Sequence, residues 1–229
     1  MNVTTIDRPV ASHPYGAAAS DAPTSKTFYR LVDGRPQPCE EHEARIIAYN
    51  NPGPAEAAEL EARYNIDSHN LQSSLDPDEI SRLEYEPDHT AVIFKRPKSY
   101  CADDNFLLKV TSTGAFLYAD QLVVVMPDDA PLFEGRASFP MNTLQDVILR
   151  LLYQAITHFD GHLKAINMLS DSIEKRLAKS MENKYLLNMF ALEKSLVYIL
   201  NSLSSNTSLC EKLRHSAGRL GFDEDQVGV

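Results

Sequence analysis

Residues 141–180 read MNTLQDVILRLLYQAITHFDGHLKAINMLSDSIEKRLAKS. Leu144, Val147/Ile148, Leu151/Leu152, Ala155, Phe159, Leu163, Ile166, Leu169/Ser170, Ile173 and Leu177 recur every three or four residues, the period of one face of an α-helix. The spacing predicts a single helix from about Asn142 to about Ser180, roughly 50 to 60 Å long at 1.5 Å rise per residue. That exceeds the diameter of a compact domain of this size. The run MENKY at 181–185 then breaks the pattern, and Met189, Leu192, Leu196, Ile199 and Leu203 form a second stripe reaching towards Leu209 and Leu213. Two such helices joined by a short connection fold back as a long antiparallel hairpin, which Gly218 and Gly221 are expected to end.

Upstream of Met141 the apolar period is two. FYRLVDG and RPQPCEEHEARIIAY read as two strands separated by an Asp33-Gly34 turn, and NNPGP breaks the chain after them. AEAAELEARY and DSHNLQSSL read as short helices, the second with Asp67 or Ser68 as its N-cap. RLEYE, TAVIFKR, NFLLKVTS, AFLYA and QLVVVMP, separated by Pro, Asp, Asn and Gly, read as an antiparallel meander. The fold class expected is α+β in α/β/α layers: a mainly antiparallel mixed sheet with short helices, then the long helical hairpin. Residues 1–26 are expected to be a disordered tail, 27–140 the α/β body and 141–229 the hairpin. Apolar residues off the main helical stripes, such as Ile156, Tyr185 and Tyr198, predict further helices packed alongside, from neighbouring subunits or from additional sequence.

The 229 residues carry 22 basic and 32 acidic side chains, a net charge of -10, which argues against a nucleic-acid phosphate footprint. The acidity lies in residues 1–140, with 22 acidic against 12 basic side chains. Cys39, Cys101 and Cys210 are far apart and odd in number, so neither a disulfide framework nor a close-spaced zinc site is expected. The N-terminus does not read as a signal peptide, and no run of about 18 apolar residues predicts a membrane crossing. No nucleophile triad, glycine-rich phosphate loop or dinucleotide fingerprint is present, and catalysis is not expected. Asp76-Pro77-Asp78 carries carboxylates that a cation could use, but the tripeptide is also ordinary turn chemistry, the reading preferred here. His158 and His162, four apart on one helix face, are the candidate metal ligands, against the blander reading of a packed or solvated pair.

The order of elements from about Phe28 to about Leu213 resembles the cytoplasmic portion of the CorA-type divalent-cation transporters, which carry magnesium, cobalt or nickel, with a ZntB-like zinc branch. The resemblance rests on the helix through Leu71 and Leu75, on ISRLEYEPDHTAVIFKRP, whose Arg82, Leu83 and Glu84 fall on a basic-x-acidic pattern, on GAFLYADQLVVV, and on LLYQAITHFDGHLKAINMLSDSIEKRL. It implies a domain on the cytoplasmic face of the cell membrane that assembles as a homopentamer and gates rather than conducts. It also implies a stalk and transmembrane helices beyond residue 229. The family's Gly-Met-Asn tripeptide does not occur in these residues. Where magnesium-gated members place a regulatory Glu-Asp pair, this chain has Gln72 and Ser73, and a second acidic position falls near Ile156 or Thr157. A hard dication loses oxygen charge there, so a ZntB-like zinc transporter domain is the alternative. The contrasting class is a free-standing binding or scaffolding protein.

Overall fold

The computed structural model describes residues 26–98, 107–133, 139–178 and 183–228. Seven strands form one sheet: β1 (Lys26–Val32), β2 (Arg35–Pro38), β3 (Ile46–Asn50), β4 (Arg82–Tyr85), β5 (Thr90–Pro97), β6 (Val110–Leu117) and β7 (Leu122–Met126), in the order β2-β1-β3-β7-β6-β5-β4. All neighbours are antiparallel except β3 and β7, which run parallel with Ile46 opposite Leu122. Asp33 and Gly34 both have positive φ, 52° and 72°, the pair that a two-residue β1–β2 hairpin turn requires.

The central strands are buried on both faces, which is why β7 reads LVVVM without alternation. Ile46, Ala48, Val92, Phe94, Leu122 and Val124 face one core; Ile47, Tyr49, Ala91, Phe116, Val123 and Val125 face the other. On the second face lie the short helices α1 (Pro54–Tyr64) and α2 (Ser68–Leu75), through Leu60, Tyr64 and Leu71. Asp67 caps α2 by accepting the Asn70 N–H at 2.9 Å.

On the first face lie the long helices α3 (Leu144–Leu177) and α4 (Asn183–His215). Leu144, Val147, Ile148, Leu151, Leu152 and Ala155 of α3 meet the sheet together with Leu209 and Leu213 of α4. Further out, Phe159, Ile166 and Ile173 meet Leu192 and Ile199. The start of α3 thus lies beside the end of α4, and the pair runs antiparallel. Thr143 opens α3 with a capping box: its hydroxyl accepts the Asp146 N–H at 3.1 Å and its N–H donates to the Asp146 carboxylate at 2.9 Å. Two single turns, α5 (Ala217–Leu220) and α6 (Glu224–Val227), return to this start, where the Gln226 amide donates to Thr143 and Asp146.

Several local expectations change. RPQPCEEHEARIIAY is not one strand but β2, a 3-10 turn at Glu41–Glu43 and β3. The run broken at Gly114 is one strand, β6. A Cβ at Gly114 would collide with the Ser74 side chain of α2, so glycine is there to let the helix lie on the strand, not to turn the chain. Helix α4 ends at His215, before Gly218, which sits inside α5; Gly221, φ 75°, ends that turn. On α4 the inward stripe is rotated: Met189 and Leu196 are 41% and 43% exposed, while Ser195, Ser202 and Asn206 are buried. The expected tail and Cys101 lie outside the described residues.

Candidate functional site

Strand β4 begins at Arg82, opposite Ile93, so the next outward-facing N–H and C=O of β5, those of Lys95, have no strand beside them. Helix α4 supplies the missing neighbour. The Asn206 side-chain amide donates to the Lys95 carbonyl at 2.8 Å and accepts the Lys95 N–H at 2.9 Å, continuing the ladder with one side chain. The Ser81 hydroxyl donates to the same Asn206 oxygen at 2.7 Å, and the Ser81 N–H donates to the Ser205 hydroxyl at 2.7 Å. Ser81, Lys95 and Asn206 are buried, so the sheet and the long helix are joined by bonds that water cannot replace cheaply.

The Lys95 side chain leaves this junction towards the α2–β4 loop. Its ammonium donates to the Pro77 carbonyl at 2.5 Å and to the Ser112 hydroxyl at 3.1 Å; Ser112 in turn donates to the Asp76 carbonyl at 2.5 Å. Burial lowers the Lys95 pKa from its ordinary value, and the negative charges of Asp76, Asp78 and Glu79 oppose that fall. Asp76-Pro77-Asp78 is turn chemistry, as expected, the Asp76 carboxylate accepting the Asp78 N–H at 2.8 Å. Beside the loop, between β5, β6 and α4, is a cavity of about 710 Å³ lined by Asp78, Glu79, Lys95, Lys98, Tyr198 and Ser202 among others.

Ser73 is buried in a polar network. Its hydroxyl donates to Glu79 at 2.8 Å and accepts from Arg82 at 2.9 Å; Arg82 also meets Glu79 at 3.0 Å, Glu84 at 2.8 Å and the Asn70 side-chain oxygen at 3.1 Å. Burial would raise the Glu79 pKa, but hydrogen bonds from Ser73 and the Ile80 N–H, with Arg82 beside it, hold it below the ordinary value. Gln72 is exposed. Neither residue adds negative charge here.

His158 and His162 do come together, ring centroids 4.7 Å apart and nearly perpendicular. His162 is buried, its Nδ1 has no hydrogen-bond partner, and burial, aided by His158, lowers its pKa to about 4. Among the described residues, no three or more His, Cys, Asp or Glu side chains are grouped so as to hold a metal ion. Cys39 and Cys210 are unpaired thiols with pKa raised by burial.

Sequence reasoning missed the junction. The signal was present: Ser195, Ser202 and Asn206 recur at helical spacing with Leu192, Ile199, Leu209 and Leu213. Polar residues on an inward stripe mark buried hydrogen bonds.

The profile of the family described as CorA-like Mg2+ transporter protein matches residues 41–227. Among solved structures, the soluble domain of CorA from Methanocaldococcus jannaschii superimposes with a TM-score of 0.68 at 19% identity, covering 83% of this chain and 79% of that one. The complete CorA magnesium transporter from the same organism gives 0.65 at 18% identity, covering 82% of this chain and 62% of that one. The ZntB cytoplasmic domain from Vibrio parahaemolyticus RIMD 2210633 gives 0.61 at 12% identity, covering 86% and 81%. These likenesses establish a shared fold. No curated protein sequence matches the chain.

Proposed function

From a chain that belongs to the CorA-like Mg2+ transporter protein family, we propose a role as the cytoplasmic part of a divalent metal cation transporter, contributing to assembly and gating rather than to conduction. The observation that carries the gating role is the Lys95–Asn206–Ser81 junction. It fixes a seven-stranded sheet to a helix of 33 residues, about 50 Å long, so a displacement of the body moves the far end of the helix. Under this reading, residues 141–229 lead towards a stalk and transmembrane helices supplied by further sequence. No helix among the described residues is long and apolar enough to cross a membrane.

Self-association as a homopentamer is part of the same proposal. The outer side of α4 keeps large apolar side chains in water, with Phe190 63% and Leu200 67% exposed, and packing against another copy or a stalk would cover them. The test is cation flux into liposomes holding the full-length protein. Uptake of magnesium, cobalt, nickel or zinc supports the proposal; a folded, inserted protein that passes none of them refutes it.

The His158–His162 pair favours a second reading, a ZntB-like zinc transporter domain. At neutral pH, His162 is uncharged and has an unpartnered nitrogen, the state in which imidazole binds zinc. Zinc should raise the melting temperature of the chain, and His158→Ala and His162→Ala should each abolish the rise. An equal response in all three removes the pair from consideration.

A further inference from the structure

We propose that the Lys95 ammonium is a covalently tethered stand-in for a bound cation, filling an oxygen-lined cup between the α2–β4 loop and β6. Asp76-Pro77-Asp78-Glu79 has the composition of a loop that wraps a hard cation, yet its Pro77 and Asp76 backbone carbonyls are already engaged, by Lys95 and Ser112. The Pro77 carbonyl and the Ser112 hydroxyl lie 2.5 and 3.1 Å from Nζ, and Ser112 passes the interaction on to the Asp76 carbonyl. The negative charges of Asp76, Asp78 and Glu79 partly counter the cost of burying the ammonium. Lys95 is 5% exposed, so its ammonium meets the surface loop from the inner side.

The geometry explains why the cation is attached to the chain. The Lys95 backbone is gripped by Asn206, which fixes the point from which the side chain enters the cup. An ammonium delivered from a fixed point by four methylenes needs no cation from solution to hold the loop. The loop's shape therefore does not depend on the free divalent-cation level, whatever the protein transports. Truncating the side chain at Cβ would leave the cup's oxygens facing space that is continuous with the cavity of about 710 Å³, with room for a small hydrated ion or an alkylammonium. The inference does not depend on the transporter reading.

The test compares thermal melts of the full chain as wild type, Lys95→Ala and Lys95→Met, each alone, with millimolar CaCl2 and with propylammonium, the fragment that Lys95→Ala removes. The wild type should be indifferent to both. Lys95→Ala should melt several degrees lower and recover with calcium and with propylammonium, whereas Lys95→Met, whose thioether fills the cup, should recover with neither. If Lys95→Ala is unfolded in plain buffer, circular dichroism after refolding with and without the two cations makes the same comparison. A Lys95→Ala chain as stable as wild type, one rescued by neither cation, or equal recovery in Lys95→Met would overturn the proposal.

Discussion

Asn206 satisfies two backbone groups of a residue 111 positions away and a serine hydroxyl besides, so its removal costs more than one hydrogen bond. Asn206→Ala strands the Lys95 N–H and C=O in a buried place, and the expected loss is about 2–4 kcal/mol in urea unfolding. A loss below about 1 kcal/mol would mean that water reaches the junction. His162 makes a prediction of opposite character. Its pKa is about 4 when folded, against 6.5 for the free side chain. Between these values the unfolded chain binds the extra proton, so stability rises with pH. The destabilisation is absent above pH 6.5, grows as pH falls and is complete below about 4. Replacing His162 by Phe should flatten this part of the melting-temperature profile relative to wild type; an unchanged slope would place the acid sensitivity elsewhere.

At the scale of elements, the meeting of α2 and β6 is decided by one absent atom. A Cβ on Gly114 would run into Ser74, which lies fully buried with its hydroxyl donating to the Asn70 carbonyl at 2.8 Å. Gly114→Ala is expected to cost about 1–3 kcal/mol through overpacking. The double variant with Ser74→Gly should cost less than the sum of the two single changes, because the clash is then relieved. Strict additivity of the two would show that the helix moves away freely. Element boundaries were legible where local chemistry set them: the positive-φ Asp33-Gly34 turn and the Asp67 cap needed no distant partner. The interior glycine of β6 and the rotated face of α4 were not legible, since both answer to a neighbour far along the chain.

At the scale of the molecule, the cation response follows from where negative charge lies. Ser73 is committed to Glu79 and Arg82, Gln72 brings no charge, and the Asp76–Glu79 loop is occupied by Lys95. Millimolar magnesium should therefore leave the melting temperature of the chain essentially unchanged, since linkage contributes RT ln(1 + [L]/Kd) and vanishes for a site that binds only at far higher concentration. A rise of several degrees would reveal carboxylates that these contacts do not account for. The sequence by itself determined the architecture: a switch of apolar period from about two to about 3.6 near Met141 separates the strand-rich part from the two long helices, because each period follows from backbone geometry alone. It also placed His158 beside His162, for the same reason. Only the tertiary structure decided that Asn206 completes the edge of β5, that the Lys95 ammonium meets the α2–β4 loop and that Ser73 bridges Glu79 and Arg82. Those residues are polar and interior, and what makes them so is a partner brought close by folding, which no local pattern encodes.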